Sequence, residues 1–146
     1  MPDPGSATPA PGGTRRREGP GRLLIAGYTL FAVAAGSRAA WQLATDFDAA
    51  PLAYTLSAVA AAVYLVAAVG FARDGRTSHR VAVVCCAVEL AGVLSVGLFS
   101  LFRPDLFPEA TVWSRFGSGY FFVPSVLPVL GLWWLFRGHR TARGPA

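Results

Sequence analysis

Apolar residues fall into four long blocks separated by short polar stretches. The blocks run from about Leu23 to Leu43, Leu52 to Ala72, Val81 to Phe102 and Gly119 to Phe136. Each holds at least 18 residues. At ~1.5 Å per residue, that is enough to cross a hydrocarbon core about 30 Å thick. The pattern predicts an all-α fold, a four-helix transmembrane bundle occupying residues 22–137. Short connections between the first and second spans, and between the second and third, favour antiparallel neighbours in an up-down arrangement. Asp48 is placed to cap the second helix, and Pro51 fits its first turn. Pro124 and Pro128 lie four apart on one face of the fourth span, where each removes a backbone donor and predicts a kink.

Composition supports a membrane chain. Hydrophobic residues make up 53% and charged residues only 14%, against about 25% charged in a soluble domain. All 13 basic residues are arginine. The net charge of +5 would suit nucleic acid, but the arginines gather at the ends of the apolar blocks, so no nucleic-acid partner is expected. The N-terminal tail, the 73–80 connection and the C-terminus hold ten of them; Arg38, Arg103 and Arg115 fall on the other side. By the positive-inside rule both termini are cytoplasmic and the 44–51 and 103–118 loops face outside. Trp41 and Trp113 then fall at the outer interface, Trp133 and Trp134 at the inner one.

Residues 1–21 hold five prolines and five glycines and predict a disordered cytoplasmic tail. Its Arg15–Arg17 run favours retention inside and contact with anionic lipid heads. This tail followed by Leu23–Ala35 also has the shape of a signal peptide. A true first span is preferred, because apolar character continues past Arg38 through Trp41. Residues 138–146 predict a second cytoplasmic tail.

Glu89 carries the most chemical information. It sits eight residues past Val81 inside the third block, and no other acid lies within an apolar block. A carboxylate at that depth costs several kcal/mol unless paired, protonated or wetted. Two readings stand: a group that carries protons or binds a cation or cationic partner, or a hydrogen-bonded glutamate that locks helices together. Ala91, Gly92, Ser95 and Gly97 make the same helix thin enough for close packing.

Arg38, Gln42 and Asp46 recur at spacings of four and share one helix face, expected to line the bundle interior or a water-filled vestibule unless Arg38 snorkels outward. Arg38 and Glu89 differ in depth by on the order of 10 Å, which favours a water-bridged link over a direct pair. The 103–118 loop is too apolar for a free linker. It is expected at the interface or over the bundle mouth, as an aromatic anchor or as a lid on which Arg115 meets an anionic headgroup. Arg115 in the loop and Tyr120 just after it are candidate polar residues. Tyr28, Tyr54 and Tyr64 read as packing residues with satisfied hydroxyls.

The chain lacks HExxH, GxSxG, GxGxxG and P-loop patterns, so no catalytic residue or cofactor is assigned. Cys85 and Cys86 are adjacent and ill placed to bridge each other. With Glu89 they offer few ligands and no histidine at depth, so no metal site is expected.

Three stretches carry a resemblance: Gln42–Tyr54, Glu89–Gly92, and Val112–Tyr120 followed by Pro124, Leu127-Pro128 and Gly131-Leu132. Together they resemble small four-span integral membrane proteins of actinobacteria, a group of uncharacterised activity. The resemblance implies a multi-pass protein of the cell inner membrane and carries over no activity or site residue. The expected function is therefore a non-enzymatic, partner- or ligand-binding membrane component, in contact with lipids and with a protein partner or a second copy. The alternatives are a small proton- or cation-coupled transporter using Glu89, and a lipid-modifying enzyme with its site under the 103–118 loop.

Overall fold

The computed structural model describes residues 19–142. The tail expected over 1–21 lies outside the described residues as far as 18, and so do residues 143–146. Four α-helices make up the fold: α1 (Pro20–Thr45), α2 (Pro51–Ala72), α3 (Arg76–Phe102) and α4 (Val123–Ala142). No strand occurs among the described residues. Helices α1, α2 and α3 are each long and apolar enough to cross a membrane. The Ser114–Tyr120 turn and Val123–Gly138, bent by 100° to one another, make a fourth crossing if counted as one broken span. The chain is an all-helical membrane protein.

Packing is sorted by size in a way that suits lipid rather than water. Ala35, Ala39, Ala60, Ala67, Ala68 and Ala82 are buried between helices, while Leu30, Val33, Leu65, Val84, Leu98 and Phe102 point outward. Large aliphatic side chains gain nothing from leaving lipid, so helices meet through small residues that let their backbones approach. At Gly70, for example, an added Cβ would lie 3.1 Å from the Ala82 backbone nitrogen. The large groups that lie inside include Leu24, Leu127 and Leu135 and a series of aromatics. Tyr120, Phe31, Tyr64, Tyr28, Phe71 and Trp134 form a column in which successive ring centroids are 5.4–6.1 Å apart. Aromatic pairs at such separations add attraction beyond area burial.

Several local expectations need correction. Asp48 does not cap α2: it lies in a short 3-10 turn (Phe47–Ala49), and the cap position is Ala50 without a side-chain hydrogen bond. Pro51 opens α2 as expected. Helix α3 begins five residues before the apolar run, taking in Arg76, His79 and Arg80. Helix α4 begins at Val123, not near Gly119, and continues to Ala142 through part of the expected tail. The sharp bend of this region is not at the prolines. Pro128 lies within α4 and Pro124 in its first turn, whereas the chain turns at Phe121 and Phe122, both with positive φ.

Candidate functional site

The segment joining α3 to α4 folds back along α3. A Cβ built on Gly92 would lie 2.8 Å from the Trp113 ring, and one on Gly97 would lie 2.6 Å from the Phe116 ring. Only glycine leaves room for these rings. Gly92 is ten residues short of the end of α3, so the indole reaches about 15 Å down that helix. Trp113 is 4% exposed. The expected outer-interface position of Trp113 is therefore wrong: its ring is inside the protein.

Irregular backbone at such depth is stable only where its polar groups are satisfied by protein. The sequence provides for this. Thr111 Oγ1 accepts from the backbone nitrogens of Trp113 and Ser114 at 3.1 and 2.9 Å, and Ser114 Oγ accepts from Thr111 N at 2.9 Å. Ser100 Oγ accepts from Arg115 N at 2.8 Å and donates to Gly97 O at 2.8 Å. Ser125 Oγ donates to Phe116 O at 2.5 Å. These bonds hold Arg115, Phe116 and Gly117 in one left-handed turn, with φ of 49°, 60° and 77°. The first two are non-glycine residues, for which this conformation costs about 1–2 kcal/mol each. At Gly117 the space is closed as well, because an added Cβ would meet Pro124 at 2.9 Å.

Below the segment lies Glu89, 0% exposed. Its polar neighbours are the hydroxyls of Tyr28 on α1 and Tyr64 on α2, both also buried. Neither closes a hydrogen bond of 3.5 Å or less to it: both carboxyl oxygens, Tyr64 Oη and Trp113 Nε1 are buried without a hydrogen-bond partner. Tyr28 Oη lies 3.4 Å from Cys86 Sγ. Three elements, α2, α3 and the segment, thus deliver unpaired polar atoms beside the Cys86-bonded Tyr28 of α1, and buried polar groups left unpaired are rare in native proteins. No basic side chain joins them. Among the described residues Arg38 has no acid within 4.0 Å, and it donates from Nη1 to Tyr120 Oη at 2.9 Å. No Arg38–Glu89 ion pair forms.

Comparison with protein-family models, curated proteins and solved structures returned no match.

Between the segment and the ends of α1 and α3 is a pocket of about 390 Å³. Pro104, Phe107 and Pro108 form an apolar wall, while Arg38, Arg115, Ser118 and Tyr120 bring polar groups. No acid, histidine or cysteine lines it. Arg103, the third arginine at this end, is occupied. It donates from Nε and Nη2 to Asp105 at 3.0 and 2.9 Å. These bonds hold the Asp105 carboxyl below the usual carboxylate range. The pair therefore persists at neutral pH and is lost as pH falls through that lowered value.

Of the residues singled out beforehand, Arg38, Arg115 and Tyr120 meet at this pocket. Gln42 and Asp46 do not line it: Gln42 is half-buried, and Asp46 is exposed where α1 ends. Glu89 lies deeper, in the core. Tyr28, Tyr64 and Trp113 were not anticipated as companions of Glu89, and the expectation of a satisfied hydroxyl fails for Tyr64. One signal was available. Within the apolar blocks Tyr28 is five residues past Leu23, Tyr64 eight before Ala72 and Glu89 eight past Val81, which puts the three within one helical turn of the same depth.

If Glu89 and Tyr64 act as one unit, their substitutions are not additive. Glu89→Leu and Tyr64→Phe, measured singly and together by unfolding in detergent, should show a coupling of about 0.5–3 kcal/mol. Additive losses would mean that the two groups do not interact.

Proposed function

We propose that this is a non-enzymatic, ligand-binding component of the bacterial inner membrane, with four spans in up-down order and both termini cytoplasmic. The observation that carries the reading is the pocket: it is walled by a segment held at a backbone cost, and its two arginines face no acid. Strained backbone gathers at functional sites, where the surrounding structure maintains it. The up-down order is supported by contacts at the two ends. Arg38, Ser100 and Tyr120 share the pocket. Phe71 meets Trp134, and Leu23 and Trp133 line a separate apolar groove, at the far end. Arginine counting puts the pocket outside. The lining has no base or nucleophile of the histidine, cysteine or carboxylate type, which weighs against a lipid-modifying enzyme. In this reading Glu89 packs where α1, α2 and α3 meet, beside Tyr28 and Tyr64.

Orientation is tested at the pocket rim. Ser118 is exposed, and the two native cysteines are buried. Ser118→Cys in intact cells should react with a membrane-impermeant maleimide. Reaction only after lysis would place the pocket on the cytoplasmic side.

One observation favours a second reading, a proton- or cation-coupled transporter: both Glu89 oxygens are free of hydrogen bonds. That reading requires Glu89→Gln to abolish ΔpH-driven flux in liposomes. A structural Glu89 predicts that the substitution leaves the fold intact and flux unchanged, since glutamine keeps the shape and polarity of the side chain.

A further inference from the structure

We infer that the pocket binds the phosphate group of an anionic ligand between Arg38 and Arg115, an inference that rests on reading the pocket as a ligand site. Its open polar groups are the Arg38 and Arg115 guanidiniums and the hydroxyls of Ser118 and Tyr120. The Arg115 guanidinium makes no hydrogen bond or ion pair with any described residue, although the Arg115 backbone is fixed by Ser100. Arg38 spends one N–H on Tyr120, leaving the rest of its fork open. That bond occupies the Tyr120 hydroxyl as an acceptor, so its own proton is directed elsewhere. Ser118 adds a hydroxyl at the rim. No acid lines the pocket: Asp105 is held by Arg103, while Asp46 and Glu109 lie outside the lining, where they share the surroundings of Tyr54 with Arg38.

Two open guanidiniums beside two hydroxyl donors demand a ligand rich in acceptor oxygens. A phosphate has them, in a geometry that arginine forks match with paired hydrogen bonds. The volume of about 390 Å³ admits a whole headgroup as readily as a small soluble phosphate, since ligand pockets run from about 300 to 1,000 Å³. The two sources share this chemistry, and the experiment separates them.

The full chain, purified in maltoside detergent and stripped of phospholipid, is titrated calorimetrically with inorganic phosphate and with short-chain phosphatidylglycerol. At least one should bind saturably. Arg115→Gln and Arg38→Gln should each weaken it about tenfold or more, the loss expected for hydrogen bonds to a charged group. Arg137→Gln, which changes a cation stacked 4.6 Å from the Trp133 ring centre, should leave affinity unchanged. Arg115→Lys should fall between, keeping charge without the fork. Thermal unfolding of each variant separates lost binding from lost fold. Binding of phosphatidylglycerol alone identifies a lipid headgroup; binding of inorganic phosphate identifies a soluble ligand. No saturable binding of either probe, or affinity indifferent to Arg115→Gln and Arg38→Gln in folded protein, overturns the inference. Native mass spectrometry shows which level has failed. A retained molecule that lacks phosphorus but needs Arg115 overturns the phosphate assignment and leaves the ligand site standing. No retained molecule and no binding overturn both.

Discussion

The Thr111–Gly117 part of the segment between α3 and α4 can pack against the bundle only because α3 offers it a glycine face. Trp113 and Phe116 occupy space that any side chain at Gly92 or Gly97 would fill. Once the rings are seated, the rest follows by geometry. Arg115 is turned into a left-handed conformation against Ser100, Tyr120 is brought to Arg38, and the pocket has a wall. The indole nitrogen is carried down towards Tyr64, a neighbour of the buried carboxyl. Overpacking a fitted core costs about 1–3 kcal/mol, and here the cost would fall on the pocket as well as on the fold.

The same contact explains how a membrane protein tolerates irregular chain at depth. Lipid offers no hydrogen bonds, so each polar group of the segment needs a protein partner. Threonine and serine supply most of them: Thr111 and Ser114 to each other's backbone, Ser100 to Arg115, Ser125 to Phe116. Glu89 and its neighbours are the exception. Unpaired atoms from α2, α3 and the segment lie there beside Tyr28 of α1, and in a low-dielectric interior each such group is costly.

The all-helical, membrane-crossing character could be read from the sequence because it depends on length and hydropathy alone, properties that each block carries by itself. Arg38, Arg115 and Tyr120 were marked as polar residues in apolar surroundings, but nothing local revealed that they meet. That depends on the fold-back of the 103–122 chain. Trp113 was misplaced for a physical reason: an indole near a span end is ordinarily an interfacial anchor, and only the notch left by Gly92 makes burial possible. The prolines misled in a similar way. Pro124 falls where a helix tolerates proline, and the bend moved to Phe121 and Phe122, whose positive φ no propensity would suggest.

The position of Trp113 is the most direct test of this account. In a protein whose other three tryptophans are replaced by phenylalanine, Trp113 fluorescence should be blue-shifted in lipid bilayers. It should resist both aqueous iodide and lipids brominated at the headgroup end of the chain. An emission quenched by iodide or by those shallow bromines, as for an interfacial indole, would contradict the seating of Trp113 on Gly92 and with it the pocket.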